Sequence, residues 1–191
     1  MLYEVILDSG ETPNKCTIAP LADRPDFRLL PGKGSGPLGP LIAPVLLHHE
    51  GECLLTIKKS FDGGVNGIAS IDCVWRRLDA LLERIAGPLP ILGRIPEGFK
   101  TVYPRRSAGG SDPVGGLATI EAIFIAGALL GNWDVSLLSE YYFGRKFVEA
   151  NRDRFLELGV HQAGNPDAVP IMSLRSRNSM QRRHDRGKSR K

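Results

Sequence analysis

The stretch GIASIDCVW, Gly67 to Trp75, sets a short apolar run against a carboxylate, a thiol and the largest aromatic side chain. Ile68 to Ile71 has the length and composition of a buried strand, and Asp72 ends it. In α/β folds the carboxyl ends of strands face the ligand crevice. Asp72 is therefore either a plain strand terminator or a carboxylate placed for chemistry. Trp75, three residues on, is either a core residue at a helix start or an aromatic turned toward a ligand. The stretch alone leaves both pairs open.

Reading outward, YEVILD (Tyr3 to Asp8) looks like a first strand, and FRLL (Phe27 to Leu30) like a short one among Pro- and Gly-rich turns. LIAPVLLH and CLLTI read as two strands around the turn HHEGE. WRRLDALLERIAG places Trp75, Leu78, Leu81, Leu82 and Ile85 at helical spacing, and Gly87-Pro88 stops it. LPIL (Leu89 to Leu92) is a further candidate strand. A long loop, Gly93 to Gly116, follows; a loop of that length within a compact domain is usually functional or disordered. LATIEAIFIAGALLG is an almost wholly apolar helix, expected to be buried on most sides, with Glu121 in its first turn complementing the helix dipole. A last helix is expected from about Val135 to Leu158. Strands come first and then alternate with helices, which gives an α/β class.

The 191 residues suit one ordinary domain or two small ones, and a 42% hydrophobic, 24% charged composition reads as soluble and globular. No apolar run is long enough to span a bilayer, and the acidic, short-cored N-terminus lacks the pattern of a signal peptide, so a cytoplasmic protein with no membrane partner is expected. Three widely spaced cysteines make no disulfide framework, and no His or Cys spacing suggests a metal site. The net charge of +4 is concentrated at the end of the chain, where Ser173 to Lys191 holds eight Arg or Lys and one acid, leaving the rest slightly acidic. Such a segment is too polar to fold alone, and its arginine forks suit phosphate. Arg182 and Arg183 are candidate RNA contacts there, as are Arg105 and Arg106 after Tyr103 in the long loop; the alternatives are a solubilising tail and a solvated loop.

GSGPLG (Gly34 to Gly39) matches GxGxxG in form only, because Pro37 and Pro40 oppose the helix that a dinucleotide site needs. There is no GxxxxGK[ST], GxSxG or HExxH. Common phosphate loops, serine hydrolases and zinc proteases have no support.

Three separated segments together resemble one family. They are KCT (Lys15 to Thr17), IDCVW (Ile71 to Trp75) with Leu89-Pro90 after it, and FGRKFVEAN (Phe143 to Asn151) preceded by GLATIEA (Gly116 to Ala122). Their order is similar to that of the small-subunit rRNA aminocarboxypropyltransferases, which carry KCT or KCS, DCSW, LPxL, LSxxEA and WGxxFxExN. YPRR followed by GLATIEA also resembles the related DTW-domain proteins, which modify tRNA uridines. The match covers most of the chain to about Leu158. Val74 replaces the family's serine, Phe143 its tryptophan and Ile18 its glycine, and the loop after LPIL is longer and lacks the asparagine-rich family sequence.

The resemblance implies a SPOUT-like trefoil-knot C-terminal domain behind a small mixed or β-rich N-terminal domain. The implied division is residues 1–66, 67–160, and a basic disordered tail at 161–191. It implies a monomer that uses S-adenosylmethionine as donor of a 3-amino-3-carboxypropyl group, with a uridine or pseudouridine nitrogen of RNA, small-subunit rRNA in ribosome biogenesis being the first expectation, as acceptor. Asp72 and Trp75 are the implied catalytic residues; Thr17, Ile71, Leu89, Thr119 and, less directly, Tyr103 fall at cofactor-contacting positions. Phe143, Phe147 and Asn151 are read as packing and helix-end features. Transfer to tRNA, methyl transfer, and a non-catalytic RNA-binding assembly factor are the alternatives.

Overall fold

A computed structural model describes residues 1–8, 16–56, 66–104 and 116–169. Six strands form one sheet: β1 (Leu2–Leu7), β2 (Phe27–Pro31), β3 (Val45–Leu47), β4 (Cys53–Leu54), β5 (Gly67–Asp72) and β6 (Ile91–Arg94), in the order β2-β1-β5-β3-β6-β4. Every pairing is parallel. Three α-helices accompany them: α1 (Leu78–Leu82), α2 (Thr119–Leu129) and α3 (Gly144–Glu157). The α/β class is as expected from the sequence.

An all-parallel sheet is covered on both faces, so its strands are apolar on both. Tyr3, Val5, Val45 and Ile68 pack with α2 and α3 in the larger core. Ile6, Leu46 and Ala69, from alternate positions, pack with Leu38, Leu81 and Ile85 in a smaller core on the α1 side. Helix α2 is buried almost all round, as its composition required.

Several expectations are corrected. The segments read as two strands around HHEGE do not pair, because β6 lies between β3 and β4 and all three run the same way. The segment between them carries the chain across β6 without reversing its direction, since Leu47 and Cys53 are both level with Gly93. The strand read from Leu41 begins only at Val45, after Pro40 and Pro44. The helix read over Val135 to Leu158 is two pieces. A 3-10 turn, Val135–Leu138, is capped by Asp134, whose Oδ1 accepts from the Ser136 amide at 3.0 Å; the α-helix starts only at Gly144. The helix read from Trp75 is a 3-10 turn, Trp75–Arg77, followed by the single turn of α1.

The sheet draws strands from both sides of the expected boundary at residue 66. The expected tail also starts too early. Residues 161–169 form two 3-10 turns beside α3, and Ala163 and Val169 are buried in the larger core.

Candidate active site

The carboxyl ends of parallel strands carry unpaired backbone groups and converge on a crevice, which makes that edge the place to look for a site. Strand β5 ends there at Asp72, which is buried. Both of its carboxylate oxygens accept hydrogen bonds. Oδ1 takes the Thr119 hydroxyl at 2.5 Å, from the first residue of α2, and Oδ2 takes the Cys16 thiol at 2.9 Å. The Asp72 carbonyl accepts the Asp8 amide at 3.0 Å, tying the neighbouring strand end to it. Thr17 Oγ1 accepts the Ile120 amide at 3.4 Å, satisfying a free N–H in the first turn of α2. Cys16 and Thr17, the end of β5 and the start of α2 thus meet. Burial, then the nearby Asp72 charge and its hydrogen bond, push the Cys16 thiol up to about 12, so it remains a protonated donor at neutral pH.

Trp75 is half-buried and belongs to neither core. Its ring meets the His49 ring edge-on, with centroids 5.3 Å apart. This resolves half of the question posed by GIASIDCVW, since the tryptophan is not a core residue. Beside it, Asp8 at the end of β1 is fully buried in its side chain and lies 3.1 Å from the Arg77 guanidinium.

His48, at the end of β3, is also buried. Its Nδ1 accepts the Glu50 amide at 3.2 Å, and its Nε2 has no hydrogen-bond partner among the described residues. Burial, helped by His49, lowers its pKa below the usual imidazole value, against the opposing pull of Glu50 and Asp79. The neutral ring is therefore favoured in the folded state. Its stabilising contribution is complete above the unfolded value of about 6.5 and is lost as pH falls through the lower folded value. In His48→Asn, which keeps an acceptor for the Glu50 amide, the unfolding midpoint should fall less than in wild type between about pH 7 and pH 5. Parallel midpoint curves would remove this role.

A second group of bonds builds the wall beside the site. Glu121 is fully buried and accepts four hydrogen bonds. Oε1 takes the Val102 amide (3.1 Å) and the Tyr141 hydroxyl (2.8 Å); Oε2 takes the Thr101 hydroxyl (2.6 Å) and the Ala118 amide (2.8 Å). The last of these is half of a capping box, because Ala118 at the N-cap has no side-chain acceptor to return it. Asn151 binds both the amide and the carbonyl of Lys100, at 2.7 and 2.8 Å, and the Phe147 carbonyl at 2.9 Å. Glu121 and Asn151 together pin the strap from Lys100 to Tyr103 against α2 and α3. Asn151 is thus more than a helix-end feature, while Phe147 is pure core.

Of the residues singled out in the sequence, Thr17, Asp72 and Thr119 are brought together. Trp75 stands on the turn directly after Asp72. Tyr103 ends the strap, its ring near those of Tyr141 and Phe143. Ile71 points to the other face and packs against the smaller core, so its backbone is what it offers on the side of Thr17 and Thr119. Leu89 is not brought in. It precedes β6, whose Ile91 is level with Val45 and hence with Ile68, near the start of β5. Leu89 therefore sits on the amino edge of the sheet, 48% exposed, while Asp72 is on the carboxyl edge. Arg105, Arg106, Arg182 and Arg183 lie outside the described residues. Among the described residues no group of three or more His, Cys, Asp or Glu is placed to hold a metal, and no helix is long and apolar enough to cross a membrane.

The chain is thus of the class of parallel-sheet α/β proteins, with a hydrogen-bonded carboxylate and a partly buried indole at the carboxyl edge of the sheet. The sequence matches no family model and no curated protein. In structure the chain is similar to the SAM-dependent rRNA:acp-transferase Tsr3 from Vulcanisaeta distributa, with a TM-score of 0.57 and 21% identity over 82% of each chain. The two share a fold.

Proposed function

We propose that the chain transfers the 3-amino-3-carboxypropyl group of S-adenosylmethionine to a uridine or pseudouridine nitrogen in RNA, small-subunit rRNA being the favoured substrate. The reading includes a SPOUT-like knotted cofactor domain and a role in ribosome biogenesis. The observation that carries it is the meeting of Cys16-Thr17, Asp72-Trp75 and Thr119 on one sheet edge, in a fold shared with a SAM-dependent rRNA:acp-transferase.

The residues present suit a sulfonium ligand. Asp72 offers a negative charge, and the Trp75 ring offers a π-face outside the core, both of which favour a cation. Thr17, Thr119, Tyr103 and the backbone at Ile71 would line the cofactor's place. When bound, S-adenosylmethionine supplies an activated carbon, with methylthioadenosine leaving. Each Asp72 oxygen keeps acceptor capacity beyond the one bond it already receives, so it can take the proton that the attacking nitrogen releases. Trp75 would fix which carbon faces the RNA, giving regiochemistry by positioning. Arg105, Arg106, Arg182 and Arg183 would bind phosphates.

The test uses S-adenosylmethionine labelled in the carboxyl carbon or in the methyl group, each incubated with the protein and unmodified total RNA. Carboxyl label in the rRNA fraction is expected. Carboxyl label in tRNA would move the substrate, and methyl label alone would make the protein a methyltransferase. Neither label, with no cofactor binding by calorimetry, would leave a non-catalytic RNA-binding protein.

A further inference from the structure

The geometry points to Cys16 and Thr119 as positioning residues that hold the Asp72 carboxylate from two separate elements, with the Cys16 thiol serving as a hydrogen-bond donor and not as a nucleophile. This rests on the reading of Asp72 as the residue that faces the reacting groups. A carboxylate at the end of a strand has two free torsions, and only its partners fix which way its oxygens point. Here one oxygen is fixed from the start of α2 and the other from the segment before the 3-10 turn Ala19–Leu21. The thiol is itself oriented, because its sulfur accepts the Ala19 amide at 3.3 Å and so directs its hydrogen elsewhere.

Both donors are neutral. Asp72 is thus directed without its charge being cancelled, unlike Asp8 on the neighbouring strand end, whose carboxylate meets Arg77 of the 3-10 turn. A lysine or arginine in the place of Cys16 would pair with Asp72 and compete with a sulfonium cation for it. The elevated thiol pKa agrees, since a thiolate would repel the carboxylate and could donate nothing. Thr119, which the proposed function sets beside the cofactor, spends its hydroxyl proton on Asp72.

Two measurements test the arrangement. The first is transfer of the carboxyl-labelled group to RNA by Cys16→Ala, Cys16→Ser, Thr119→Val and Thr119→Ser. Cys16→Ala and Thr119→Val should each lower kcat about 10- to 100-fold, with KM for S-adenosylmethionine changing less than about threefold, as misplacement of a reacting group predicts. The serine variants, which keep a donor, should recover most of the loss. Wild-type kcat in Cys16→Ala, or equal loss in Cys16→Ser, would overturn the donor role. The second measurement needs no activity. Cys16 alkylation by iodoacetamide, read by mass spectrometry on the folded protein, should speed up about tenfold or more in Asp72→Asn, because the neighbouring charge that suppresses the thiolate is gone. An unchanged rate would overturn the pairing. Should wild type transfer nothing to RNA, the proposed function fails, and the alkylation rates alone decide whether Cys16 is bound to Asp72.

Discussion

Glu121→Ala should cost about 3 kcal/mol or more and lower the unfolding midpoint by roughly 6–12 °C, because buried donors left without an acceptor cost 1–3 kcal/mol each. Two of the four donors are backbone amides, Val102 and Ala118, which cannot turn away; the Thr101 and Tyr141 hydroxyls can. Glu121→Gln should be nearly as damaging. Each carboxylate oxygen receives one of the amides, so either orientation of the glutamine sets its NH2 group against a backbone N–H. Thermal unfolding of the two variants checks this, and a glutamine variant as stable as wild type would show that the wall tolerates an unpaired amide. Release of the strap would also loosen Tyr103 and the start of α2, from which Thr119 reaches Asp72. A loss of transfer at temperatures where the variant is still folded would be the functional trace of that loosening.

Asp72→Ala should lower transfer at least about 10²-fold, the lower end of what a positioned acid or base contributes. Asp72→Asn separates two roles. The amide still has an acceptor oxygen for Thr119 or Cys16, but it takes up no proton and carries no charge. If Asp72 accepts the proton, asparagine should transfer as poorly as alanine while binding S-adenosylmethionine within a few-fold of wild type. If it acts by charge on the sulfonium, calorimetry should instead show weakened binding in both variants. Transfer at the wild-type rate in either would remove Asp72 from the chemistry altogether.

Where the sequence was legible, the reason is local. YEVILD and IASID are apolar runs of strand length, and they became the adjacent central strands β1 and β5. The apolar run of α2 could only be a buried helix. Asp72 was readable as a site candidate because its place at a strand end follows from the run before it. Glu121 was readable only as an acid in a first helical turn, since three of its four partners lie at 101, 102 and 141, and no local pattern announces a contact across the fold. His48 and His49 were read as turn residues, for β3 ends beside β5 only because of a strand order that periodicity does not contain. The same blindness misplaced Leu89. A short apolar segment shows that a strand exists, but not which edge of the sheet its first residue reaches.

Strand β1 is made before both strands it pairs with, and it lies inside the sheet between β2 and β5. Its β2 edge can close once Phe27–Pro31 has been made, but its other edge waits for Gly67–Asp72. Until then an apolar strand stands with one row of backbone donors and acceptors open, the condition that favours chaperone capture and mispairing during synthesis. The residue that completes the pairing of β1 is Asp72 itself, opposite Leu7. The strand that closes the open edge of β1 is therefore also the one that brings Asp72 to the carboxyl edge of the sheet.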